Sequence, residues 1–277
     1  GDVTVTTTGH LINDLDAGDF ASLTLRTLGE PGEASDLVLL RDFSTTAEQS
    51  FTAEAARNLN LGGASREFLG TTRLVAGLRG SGSVAGSTSS VIEGGNNSIT
   101  VEAADNVRLF GVDMGGHLDV TTVNGGVLLA DAEVGSLTVK TGSTGNLAGQ
   151  VESRLVDLDV GTIADGSVFT LGGNTAQLSL RTEGYARITP LGHISLNIAD
   201  METGAGPVFI AGTDANISLT GAATSLGDLY IGANNIFVDK PVTGLADGSS
   251  SLGQISFVAG NDLTISGAAG IHADAGP

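Results

Sequence analysis

The chain has 277 residues, with 42 glycines, 4% aromatic side chains and neither cysteine nor tryptophan. Its formal net charge is −19, from 31 acidic and 12 basic side chains, and Lys140 and Lys240 are its only lysines. That balance argues against nucleic acid and anionic membranes as partners, since both need a basic surface, and no apolar run approaches the ~20 residues of a membrane span.

A mean hydropathy of +0.21 still provides enough Val, Leu, Ile and Ala for a core. The core is expected to be aliphatic and the turns many. Gly1-Asp-Val-Thr-Val-Thr has no basic start and no apolar stretch, so no signal peptide is expected there. The start reads as a mature terminus, an excised segment or a cytoplasmic protein. The absence of cysteine suits a bacterial surface protein in an oxidising space.

Taken in chain order, apolar–polar–apolar triplets recur. They are Val3-Thr-Val5, Leu23-Thr-Leu25, Leu59-Asn-Leu61, Ile99-Thr-Val101, Leu118-Asp-Val120, Leu137-Thr-Val139, Leu158-Asp-Val160, Leu178-Ser-Leu180, Ile194-Ser-Leu196, Ile217-Ser-Leu219 and Ile255-Ser-Phe257, with Ile236-Phe-Val238 in the same slot. Weaker rungs near Leu37 and Leu78 fill the gaps around Leu59. Half a step later comes a second set: Val107-Arg-Leu109, Val127-Leu-Leu129, Phe169-Thr-Leu171, Val208-Phe-Ile210, Leu229-Tyr-Ile231 and Leu263-Thr-Ile265.

Period-two alternation is a strand pattern. A repeat near nineteen or twenty residues holding at least two strands is that of a solenoid, in which each coil buries its apolar face on the next. The expectation is an all-β, right-handed parallel β-helix of about fourteen coils, continuous over 1–277. Irregular loops are expected near 29–35, 79–90 and 239–251. Only Thr46–Asn58 tolerates a helix, and Phe51-Thr-Ala-Glu-Ala55 within it also reads as a strand. Asn and Gly punctuate the turns, as at Asn124-Gly-Gly126, and asparagines in register are expected to stack in ladders.

Phe257-Val-Ala-Gly-Asn-Asp-Leu-Thr-Ile-Ser-Gly267 and Leu229-Tyr-Ile-Gly-Ala-Asn-Asn-Ile-Phe-Val238 resemble the repeats of filamentous haemagglutinin-like exoproteins of two-partner secretion. The resemblance covers most of the chain from about residue 91 and, more loosely, the part before it. It implies a long bacterial surface β-helix acting as an adhesin. That family's secretion domain carries Asn-Pro-Asn motifs; this chain has no Asn-Pro, so the resemblance is to the shaft.

No catalytic, cofactor or metal residues are assigned. His10, His117, His193 and His272 are far apart in sequence and read as solvated turn residues, because a metal site needs several converging ligands. Asp157 and Asp159 flank an inward Leu158 and point outward. With Asp119, Arg154 and Arg181 they are the nearest thing to a polysaccharide hydrolase or lyase site, the alternative to a structural role. The Gly-His-Gly and Arg-Ile-Lys motifs of sugar-cleaving β-helices are absent, and aromatic sugar platforms are scarce. Gly260-Asn-Asp-Leu263 matches one fragment of a calcium-binding nonapeptide repeat, but no adjacent copy follows, so it reads as turn residues. The Val5-Thr-Thr-Thr8 run would bind ice only if threonines recurred on many coils.

The chain is therefore expected to be an extracellular or cell-surface structural and adhesive solenoid. Its expected partners are further copies stacking end to end, or flanking coils of a longer shaft, and a host or cell-surface ligand. Neither capping helix nor polar cap is evident at the ends, which favours such stacking.

Overall fold

A computed structural model describes residues 1–9, 11–13, 20–29, 35–40, 42–63, 65–173, 175–245, 253–267 and 269–274. Among them there is no helix, and Thr46–Asn58 contributes the strand Ser50–Ala55. The strands pair in parallel and stack as a β-solenoid of about 11 coils. The chain divides into two units, Gly1–Gly145 and Asn146–Pro277.

The first unit has three sheets, where the triplets indicated two. One carries Val3, Leu23, Phe51, Thr72, Ile99, Leu118 and Leu137 in register. A second aligns Leu11, Leu37, Leu59, Val84, Val107 and Val127. The third aligns Phe43, Arg66, Ile92, Val112 and Ala132. Leu59 therefore belongs with Val107 and not with Leu23, and Leu78 lies outside any strand, exposed.

All three predicted loops fall inside long coils, two of them in the first unit, which is why fewer coils fit than a uniform period suggests. Leu23 to Phe51 spans the 29–35 stretch, of which 30–34 lie outside the described residues. Thr72 to Ile99 spans 79–90, which is only partly loop: Val84–Gly86 is a strand seated between Leu59 and Val107.

In the second unit Leu147, Ile163, Ala186, Val208, Leu229 and Ile255 form one inward column. Leu158, Leu180, Met201, Ala223, Val242 and Ile271 form another. The alignment differs from the expected one: Leu158 meets Leu180, and Leu196, not Ile194, meets Ile217, while a bulge at Leu178/Ser179 in the pairing between them sets Leu180 on Met201. Ile255 joins Leu229 while Leu263 joins Ile236, the reverse of the triplet assignment. The 239–251 stretch causes that exchange by lengthening the coil; it holds the strand Val242–Leu245, and 246–251 lie outside the described residues.

The cores differ in filling. In the first unit Phe20, Phe43, Phe51 and Phe68 pack together, with Phe43 and Phe51 centroids 4.6 Å apart; elsewhere the columns are mostly aliphatic, with Phe169 a single buried ring among the described residues of the second unit. Buried hydroxyls close the corners. Thr122 donates to the Gly125 carbonyl at 2.7 Å, and Thr203 donates to Ser225, which donates to the Gly227 carbonyl. Each satisfies a polar group that a tight turn would otherwise bury unpaired. The predicted asparagine ladder forms in the second unit, where Asn235 donates to Asn216 at 2.6 Å and Asn261 donates to Asn235 at 3.0 Å.

The inward column of the third sheet contains one cation. Arg66 is fully buried, and its guanidinium donates to the carbonyls of Leu39, Leu61 and Ser65. Gly62 turns beside it at φ +65°, where a Cβ would stand 2.6 Å from the Leu39 oxygen. Glycine is required there by both conformation and space.

Candidate functional site

Asp157 and Asp159 point outward from the strand Asn146–Val160, with Leu158 fully buried between them. Asp159 lies opposite Arg181, and Asp157 opposite Ser179. Arg181 nevertheless donates to Glu202, at 3.1 Å, and both side chains are exposed. Arg154 is exposed. Asp119 lies in the first unit, flanked in register by Thr100 and Thr138.

The histidines are not brought into a cluster. His117 shares a 2.8 Å hydrogen bond with Ser136, His193 and His272 are exposed, and His10 lies outside the described residues. Among the described residues no three His, Asp or Glu side chains stand close enough to hold a metal ion. Gly260–Leu263 is strand rather than turn: it lies within Ile255–Ile265, and Asn261 continues the asparagine ladder.

On the outer face of the first unit a charged ladder runs across four coils. Arg26 donates to Glu54; Arg73 donates to Glu54 at 2.8 Å and to both oxygens of Glu102 at 3.1 and 3.2 Å. Hydrogen bonding to Glu102 raises the Arg73 pKa above its ordinary value; burial opposes this, and the charges of Glu102 and Glu54 add to it. The ladder escaped sequence reading because its pairs lie 19 to 29 residues apart. It also interrupts the neighbouring threonine row of Thr4, Thr24, Thr52, Thr100 and Thr138, so the hydrated charges break up any flat ice-binding lattice.

Glu54 is the buried hinge of this ladder and serves two arginines. Glu54→Ala is expected to cost about 1–2 kcal/mol, discounted for the half-exposed arginines, with a smaller loss at high salt. Urea denaturation at two salt concentrations checks both.

The second unit presents a different surface. Phe209 and Tyr230 are outward register neighbours, and Tyr185 stands beside them two residues before Arg187 on the adjoining coil; successive ring centroids are 6.1 Å apart, with the ring planes tilted to one another. They border a cleft of about 380 Å³ that Arg187, Thr189 and Ala211 complete. The triplets Val208-Phe-Ile210 and Leu229-Tyr-Ile231 place aromatic rings at their outward middle positions, and both tyrosines of the chain belong to this group. Sequence reading missed the platform because aromatics are scarce overall and only register gathers them.

No family model, curated protein or solved structure matches this chain.

Proposed function

We propose that this protein is a structural and adhesive β-solenoid of a bacterial surface, not an enzyme, and that copies of it associate through their coil edges. The carrying observation is the column of inward side chains that stays in register from coil to coil: Leu196, Ile217 and Ile236 are each 1% exposed, and Leu263 follows them in register. A strand edge of such a stack pairs readily with another strand, and a head-to-tail contact of this kind propagates into an open polymer. The repeat style shared with haemagglutinin-like exoproteins, the absence of cysteine and the charge of −19 support a secreted, surface-exposed role.

Electron micrographs and light scattering over a concentration series test the reading. Filaments that lengthen with concentration and vanish in Leu263→Glu support end-to-end association of copies. Single-copy particles at all concentrations overturn that association. Turnover of a polysaccharide that is lost in Asp157→Ala or Asp159→Ala overturns the structural reading.

A further inference from the structure

The aromatic row of the second unit is costly as a mere surface. Phe209 is 37% exposed, and Tyr185 and Tyr230 are half-buried, in a fold whose other outward positions are largely polar or small. Exposed rings gathered beside a concave surface mark binding sites far more often than solitary apolar side chains do.

Four features identify the chemistry of the occupant. The rings follow successive coils, since Phe209 and Tyr230 are register partners and Arg187 precedes them in the same row. Coils repeat at about 4.8 Å, comparable to the length of one pyranose residue in an extended glycan, so neighbouring sugars meet neighbouring rings. Each ring offers an apolar face to the C–H face of a sugar. Polar groups rim the cleft: the Arg187 guanidinium, which forms no salt bridge among the described residues, the Thr189 hydroxyl and the two phenols. These match ring-edge hydroxyls, donor to acceptor.

Two further details refine this. A Cβ on Gly232 would lie 3.0 Å from the Tyr230 ring and 3.1 Å from its hydroxyl. The missing side chain therefore lets the ring lie down over the strand. The chain's charge of −19 repels a polyanion and the Arg187 guanidinium in the cleft repels a cationic sugar, so an uncharged glycan is the matching ligand.

We propose that Tyr185, Phe209 and Tyr230, with Arg187 and Thr189, form a binding site for a neutral pyranose polysaccharide chain. The proposal gives the adhesive reading its ligand class and rests on it. The two fail separately, because coil stacking needs no glycan and glycan binding is read without assembly.

The test is native electrophoresis of the full chain through gels containing soluble β-glucan, xylan, galactomannan or starch, with alginate as the polyanion. At least one neutral polysaccharide should retard the protein. Tyr230→Ala should weaken that retardation about tenfold, as expected for losing one stacked ring, and Phe209→Ser similarly, with thermal melts unchanged. Phe209→Tyr should bind like the parent chain, which separates loss of the ring from loss of the fold. Unaltered mobility in every gel, retardation by alginate alone, or retardation that survives replacement of all three rings by alanine overturns the proposal.

Discussion

Leu137→Asp is expected to destabilise the first unit by more than about 4 kcal/mol, because it combines lost burial, a cavity and an unpaired carboxylate in the core. Leu137 is 1% exposed and stacks in register on Leu118, itself fully buried. A carboxylate placed there has no cation and no donor in the aliphatic column, so it must either ionise without solvent or bind a proton at a cost. Since domains are stable by only about 5–15 kcal/mol, a large part of the unit should melt. Asp119→Ala is the control. Its side chain lies on the outward side of the same sheet between Thr100 and Thr138, and the change should stay within about 0.5 kcal/mol. Circular dichroism melts of both variants decide the matter. Equal loss of stability would falsify the inward–outward assignment.

Arg66→Leu should cost nearly as much, about 3–5 kcal/mol, by analogy with breaking a buried charged network. An aliphatic side chain fits the column, where the register neighbours are Phe43 and Ile92, so simple hydrophobic reasoning makes the change favourable. The carbonyls decide otherwise. Leu39, Leu61 and Ser65 each lose a donor; the Leu39 and Leu61 bonds are buried, and a buried acceptor left unpaired costs about 1–3 kcal/mol. Burial lowers the Arg66 pKa and the charge of Asp42 opposes that shift; the guanidinium nevertheless remains cationic at neutral pH. Arg66→Lys keeps the charge but loses the planar fork that spans several oxygens, and should fall between the parent chain and Arg66→Leu. Urea denaturation of the three proteins measures the order; Arg66→Leu equal to or above the parent in stability would show that the carbonyls find other partners.

Both variants change residues of which one was legible beforehand. Leu137 belongs to a triplet whose inward pattern is local, set by period-two alternation within a few residues. Arg66 is charged, and no local rule places it inside. Its burial follows from a corner beside Gly62 where the Leu61 carbonyl and that of Leu39 on the adjacent coil both accept from the guanidinium.

By itself the sequence determined that the chain is all-β, that it coils in parallel, that its core is mostly aliphatic, and that asparagines ladder between coils. These depend on short-range alternation and on a repeat, and both can be counted along the chain. Only the tertiary structure decided which triplet stacks on which. Every sheet uses the same apolar–polar–apolar phrase, so the phrase carries no label for its column, and insertions such as 239–251 shift the count. The charged ladder of Arg26, Glu54, Arg73 and Glu102 and the ring row of Tyr185, Phe209 and Tyr230 arise from that stacking. Residues some twenty positions apart become neighbours only when coil length brings them into register, and coil length is set by the turns.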